Sequence, residues 1–466
     1  MSLLLVIGFY LAEKNLSKII SSNISNNNFD ISINEINLNF NGKISIDDFI
    51  IYNKQRDTIL YAKSFSASPS ELINYFRDEK STLKSIRFDG GFLNTYNYNS
   101  PDLSLNQNGL IFDQKLNTFD VQNIEFSDFN IFIKQGGKKY TISNKEIKIE
   151  NFIRDNGFTQ FSITYLKSKI NEREISFQSN IIINDNEVKF EFENFNVGKS
   201  VFNGNINLTN IYDIENFKYE GFLKNSFLNS SDFSTNNINL DLELKSLFNG
   251  DLNGLTLNDL IVKSFENELE ADLFFDFSEN IYNSDIKLDL KKFNSSTIFL
   301  YNLYPDLFGR IIPSAFKNIG KLKIDGVLSK NGDFILSSAN IHTEFGGLDY
   351  NIKLSNLKDI NASKYEGNFN GNNFDLAQII NLPFELQSDF KFNINGEGFD
   401  EENLKSSVVG QMNNLLINKY SYQNIFINGE VSDKLFKGSL IVSDDNLDYK
   451  TFKFKRYQCF EIWRKF

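Results

Sequence analysis

The side chains able to do acid, base or metal chemistry are few in this sequence, and their spacing does not favour it. His342 is the only histidine, so a multi-histidine metal site cannot be assembled, and no G-x-S-x-G elbow offers a nucleophile for a Ser/His/Asp triad. With Glu344 and Asp349 near it in sequence, His342 offers at most a share in a weak cation site, and a surface strand position is the plainer reading. Asp251, Asn253 and Asp259 surround a turn but lack the ligand spacing and terminal glutamate of a calcium loop. Gly136-Gly137-Lys138 reads as a hairpin turn, and no Walker or G-x-G-x-x-G loop is found. Asp285 and Asp289 alternate with Ile286, Leu288 and Leu290, sharing one face with Lys287, which is the pattern of a solvated strand face. Asp400, Glu401 and Glu402 read as a solvated loop. The expectation is a protein with no catalytic residues, no metal and no cofactor.

The elements that carry these residues are strands. Val188, Phe190 and Phe192 alternate with Lys189, Glu191 and Glu193; Leu240, Leu242 and Leu244 alternate with Asp241 and Glu243; Leu269, Ala271, Leu273, Phe275 and Phe277 continue the habit, interrupted by Phe274. A period of two places every apolar side chain on one face of a strand. The alternation restarts every ten to fifteen residues along 466 residues, giving about 25 to 30 strands. Open twisted sheets seldom exceed ~10 strands without curling or splitting. The expected fold is therefore all-β, a long antiparallel sheet curled into an open apolar groove, with a few short helices and an N-terminal apolar helix. Asn41-Gly42, Asn203-Gly204, Asn249-Gly250, Asn331-Gly332, Asn370-Gly371, Asn395-Gly396 and Asn428-Gly429 read as tight hairpin turns. Helical signals are confined to Ser70 to Glu79, to Thr297 to Leu307 with Ser314 to Ile319, and to Leu376 to Asn381.

Charge and composition narrow the partners. A net charge of -12 and pI near 4.9 argue against nucleic acid, which needs a basic surface. The lone Cys459 forms no intrachain disulfide. The 48 phenylalanines fall largely on the apolar phase of the strands, so whatever lies against that phase decides the function. Candidate lining positions are Val188, Phe190, Phe192, Leu240, Leu242, Leu273, Phe275, Phe277, Ile286, Leu288, Leu290, Leu322, Ile324, Tyr350, Ile352, Leu354, Phe390, Phe392 and Ile394.

The two ends depart from the strand pattern. Leu3, Leu4, Leu5, Val6, Ile7, Phe9 and Leu11 form an apolar stretch about half the length of a spanning helix, read either as a buried helix or as the remnant of a membrane anchor over residues 1–24. Residues 450–466 hold the only Cys and Trp, a shift in usage expected of a frameshifted or truncated end. Between them, residues 25–150 with a short helix at 70–79 and residues 151–449 read as two β regions without a Pro- or Gly/Ser-rich linker.

The run "ISIDDFIIYNKQRDTILYAKSFS" from Ile44, with "SPSELINYFRDEKSTLKSIRFDGGFLNTY" from Ser68, resembles the N-terminal region of TamB-like proteins of the AsmA superfamily. "IPSAFKNIGKLKIDGVLS" from Ile312, "HTEFGGLDYNIKLSN" from His342, "YEGNFNGNNFDLAQIINLP" from Tyr365 and "FKFNINGEGF" from Phe390 are similar to the same family. The resemblance implies an envelope protein held in the inner membrane by one N-terminal helix, with a periplasmic β-taco body that carries phospholipids between inner and outer membranes. The C-terminal domain typical of TamB is not found in this sequence, so docking to an Omp85-type outer-membrane partner does not carry over. The alternative is an assembly factor or chaperone holding outer-membrane strands at an exposed sheet edge. A structural sandwich is the third reading, and there the inward positions would pair across ~10 Å.

Overall fold

The computed structural model of the chain describes residues 30–38, 44–53, 55–68, 82–94, 118–135, 138–155, 158–170, 173–184, 186–211, 213–233, 240–277, 284–303, 314–359, 361–375, 377–378, 385–399, 404–417, 419–432, 435–444 and 451–458. The apolar N-terminal stretch and the helix expected at 70–79 lie outside them. The protein is all-β, and its contacts divide it into two units, Met1–Phe233 and Ser234–Phe466. Position 150 lies inside a strand of the first unit.

In the first unit the strands are β1 (Asp30–Ser32), β2 (Glu35–Leu38), β3 (Ile44–Tyr52), β4 (Thr58–Ala67), β5 (Thr82–Asn94), β6 (Thr118–Gln135), β7 (Lys138–Asp155), β8 (Phe158–Ile170), β9 (Arg173–Asn184), β10 (Glu187–Val197), β11 (Ser200–Thr209) and β12 (Lys218–Asn229). β1 and β2 both pair with β3, and from β3 onward each strand pairs with the next. One pairing corrects the antiparallel expectation: β5 and β6 run parallel, from Thr82 opposite Asp120 to Asn94 opposite Phe132. The connection between them, residues 95–117, is long enough for the crossover that a parallel pair requires. Around this pair sits a closed core. Ile44 and Val121 are 0% exposed and Ile46 is 1% exposed, clustered with Ala62, Ile86 and Phe129.

In the second unit the strands are β13 (Asp241–Asp251), β14 (Gly254–Ser264), β15 (Asn267–Asp276), β16 (Ile286–Ser296), β17 (Lys321–Asn331), β18 (Phe334–Thr343), β19 (Gly346–Ser355), β20 (Lys364–Asp375), β21 (Leu386–Glu397), β22 (Lys405–Ile417), β23 (Tyr420–Ser432), β24 (Leu435–Val442) and β25 (Thr451–Gln458). Each pairs antiparallel with its successor, an open meander. The helical signals after β16 form α1 (Thr297–Leu303) and a 3-10 turn over Ser314–Ile319. Of the third signal, Ala377 and Gln378 form a helical turn, and Leu376 and residues 379–381 are outside the described set. Within the tail expected to be atypical, Thr451–Gln458 forms a strand paired to β24.

Most of the Asn-Gly pairs are not turns. Asn331-Gly332 is one, with Gly332 at φ +53°, whereas Gly204, Gly371, Gly396 and Gly429 lie inside β11, β20, β21 and β23. Asn249 and Gly250 are still within β13, and Asn41-Gly42 is outside the described residues. Packing accounts for three of these in-strand glycines: a Cβ would meet the Phe390 ring at Gly371, the Tyr365 ring at Gly396 and the Phe222 carbonyl at Gly204.

Eight strands carry an Asp or Asn at positive φ in their interior: Asp48, Asp128, Asn151, Asn194, Asn225, Asp259, Asn373 and Asn424. At Asn151, Asn194, Asn225, Asp259 and Asn373 the ladder register shifts by one, the mark of a β-bulge, and the alternation shifts with it. Phe192 and Phe195, three apart across Asn194, therefore share a face with rings 6.0 Å apart, and Phe126 and Phe129 do the same across Asp128 at 5.1 Å. The freed amide is received by an Asx side chain on the following strand. Asn194 N donates to Asn203 Oδ1 at 2.8 Å, Asp259 N to Asp272 Oδ1 at 2.7 Å and Asn373 N to Asp389 Oδ1 at 2.6 Å. Asp259 is thus a bulge residue within β14, whereas Asp251 is the turn residue, accepting from the amides of Asn253 and Gly254.

Candidate functional site

Residues directly opposite one another in a ladder point to the same face, so the register decides which apolar side chains meet. In the second unit they meet in rows that cross every strand from β13 to β24. One row runs Leu244, Val262, Leu269, Phe293, Ile324, Ile341, Leu348, Gly371, Phe390, Met412, Ile425 and Val442. Beside it run Phe248, Leu257, Leu273, Leu288, Leu328, Ser337, Ile352, Gly367, Ile394 and Val408. A third contains Leu290, Gly326, Ala339, Tyr350, Phe369, Phe392 and Gly410. The fourth contains Phe275, Ile286, Lys330, Ile335, Leu354 and Tyr365.

The structure therefore assembles the candidates of this unit on one sheet face. Leu242, two residues before Leu244, joins them at the β13 end, and Leu240 directly precedes that strand. Phe277 lies just past β15, 47% exposed, its ring 5.7 Å from that of Phe275. Val188, Phe190 and Phe192 belong to the first unit, where they oppose Leu208, Ile206 and Gly204. Burial is what marks the surface. Leu322 and Phe192 are buried, Phe277 is exposed, and the other sixteen candidates are half-buried. A closed apolar core looks different, as the fully buried Ile44 and Val121 show.

The floor of this face is smooth because large and small residues alternate across strands. A Cβ on Gly371 would meet the Phe390 ring at 2.3 Å, one on Gly410 the Phe392 ring at 2.3 Å, and one on Gly396 the Tyr365 hydroxyl at 2.5 Å. The Phe390 and Phe392 rings stack at 5.1 Å, an offset arrangement favourable for aromatic pairs. Polar atoms on the face are tied down locally. Ser337 and Tyr350 share a hydroxyl contact of 3.2 Å, and buried Lys330 donates to the carbonyls of Ser284 and Gly332 at 2.6 and 2.7 Å. Sequence alternation did not point to Lys330, because it occupies an apolar-phase position.

The opposite face is wet and charged. Hydrogen bonds from Lys292 and then Lys263 hold the Glu268 carboxyl below the usual range, and Lys291 with the Asp259 amide does the same for Asp272. Asp289 and Lys287 are exposed there, as the alternation predicts, and exposed His342 stands opposite Lys323 and Gly347. On the polar side of the first unit, Gln178, Asn180, Glu191, Glu193, Asn205 and Lys224 rim a depression of about 460 Å³, which the strand alternation gave no sign of. Among the described residues no group of His, Cys, Asp and Glu is placed to hold a metal ion, and no helix is long and apolar enough to cross a membrane.

Comparison with protein-family models, with curated proteins and with solved structures finds no match to this chain.

Proposed function

We propose that the apolar face shelters the acyl chains of phospholipids in an open groove and carries them between two membranes, as the resemblance to TamB-like proteins implies. The observation that carries this reading is the apolar surface, only partly buried, that crosses β13 to β24. Soluble monomers rarely leave contiguous apolar patches beyond a few hundred Å² uncovered. Acyl chains laid on that floor gain about 0.8 kcal/mol per buried methylene, while head groups stay at the wet margin. Passive flow along such a surface needs no cofactor and no nucleotide. The N-terminal apolar stretch would hold the body at the inner membrane.

The test is to purify the chain, extract it with organic solvent and quantify phospholipid by mass spectrometry. Several lipids per chain are expected, lost in the double variant Phe275→Asp and Ile352→Asp, which is expected to remain folded and monodisperse. A folded, monodisperse protein that yields no lipid sinks the proposal and leaves a strand-holding or structural sheet.

A further inference from the structure

The hairpin between β14 and β15 closes at Ser264 opposite Asn267, which leaves Phe265 and Glu266 as its turn. Phe265 is 91% exposed and has φ +51°. Among the described residues, the other non-glycine positive-φ positions are Asn or Asp, apart from Arg56 and Lys419. Phe265 is thus the one large apolar side chain in a conformation where Cβ meets the following carbonyl, at a turn that Asn or Gly suits better. Two local preferences are violated at one residue, and neither violation helps the hairpin.

The same rim carries a second exposed apolar group. Ser295 Oγ donates to Asn267 Oδ1 at 2.7 Å, and β16 then continues into α1, whose Ile298 is 63% exposed. Glu266 reaches Lys321 at the start of β17 at 3.9 Å, and the Lys317 ammonium sits 3.1 Å from the Tyr301 ring centroid. Here Lys263, Lys292, Lys317, Lys321 and Lys323 stand against Asp241, Glu243, Glu266, Glu268, Glu270 and Glu344, so the rim is close to neutral in a chain of net charge -12. The apolar face reaches this rim directly, because Val262 and Leu269 flank the hairpin and stand side by side in one of its rows.

We propose that Phe265, with Ile298 on the same rim, is a bilayer contact that inserts at the boundary between head groups and acyl chains. The near-neutral charge removes the repulsion that the rest of this acidic chain has for an anionic lipid surface, and Phe suits an interface with one wet side. This rests on the lipid-carrying reading for its purpose: the contact sets the margin of the apolar face against a membrane that donates or receives lipid.

The experiment uses the full chain and vesicles of phosphatidylethanolamine and phosphatidylglycerol. With Trp463→Phe as background, Phe265→Trp is expected to shift its emission to the blue on adding vesicles. Phe265→Asn is expected to melt no lower than the parent while vesicle flotation falls about tenfold, since burying one Phe is worth ~1.5–3 kcal/mol. Leu252→Asn, at the turn on the opposite rim and 52% exposed, is expected to float like the parent. An unshifted emission, undiminished flotation of Phe265→Asn, or an equal loss in Leu252→Asn overturns the proposal. Lipid co-purification is read separately: Phe265→Asn should keep it, and its absence from the parent sinks the carrier reading whatever the flotation shows.

Discussion

Ile46 and Ile352 occupy the same kind of position, an apolar-phase residue in mid-strand, yet Ile46 is 1% exposed and Ile352 is only partly buried. Both belong to mainly apolar rows: Ile46, Phe65, Phe88 and Phe126 in the first unit, and Leu288, Leu328, Ser337, Ile352, Gly367 and Ile394 in the second, where a serine and a glycine interrupt it. Alternation makes a greasy face in both cases. What differs is cover, and period-two patterning does not encode cover. The first unit adds to its core the parallel β5–β6 pair and stacked rings, Phe88 against Phe126 at 5.0 Å, whereas the second lays its rings flat over glycines.

The sharpest way to break this comparison is to place a carboxylate at each site. Ile46→Asp is expected to cost about 4 kcal/mol, because an unpaired charge enters a closed core. Ile352→Asp is expected to cost about 1 kcal/mol, because the new carboxylate keeps its water. Urea unfolding of both variants measures the gap, and equal costs would show that the second face is as closed as the first. A smaller effect sharpens the account of the floor. Gly371→Ala drives a methyl into the Phe390 ring and should lose about 1–3 kcal/mol, partly restored by Phe390→Leu in a double-mutant cycle. The smallest effect concerns the wet face. Glu268 and Asp272 have carboxyl pKa values lowered in the folded state, so their stabilisation is present above the ordinary carboxylate range and is lost as pH falls through the folded values. Melting temperatures of the parent and Glu268→Gln should therefore converge on acidification, by a small margin for exposed pairs.

Alternation made the all-β class, the strand-rich body and the short helix after Ser296 legible in the sequence, since each rests on local periodicity. It misread Asn-Gly because the same dipeptide serves a turn at Asn331 and a ring-covered floor at Gly371, and only the neighbouring strand tells them apart. The bulges had a signal that went unread. An Asx followed directly by an apolar residue, as in Asp48-Phe49, Asp128-Phe129, Asn151-Phe152, Asn194-Phe195, Asp259-Leu260, Asn373-Phe374 and Asn424-Ile425, breaks the alternation where the phase must shift. The parallel β5–β6 pair and the buried Lys330 depend on long-range pairing, which local pattern does not contain. The candidate face was readable strand by strand, and its partial burial was not, because that depends on the space in front of the sheet.

The meander of the second unit has a kinetic consequence. Every strand from β14 onward pairs with the strand made just before it. Apart from β17, which follows β16 only after residues 297–320, these ladders close short connections, with low contact order for a β-protein. Stability then accumulates nearly hairpin by hairpin, as in repeat arrays, and an even number of strands can be gained or lost without disturbing the remaining register. In the first unit the parallel β5–β6 pair cannot close through a tight hairpin at all, so its ladder forms only after a crossover spanning residues 95–117.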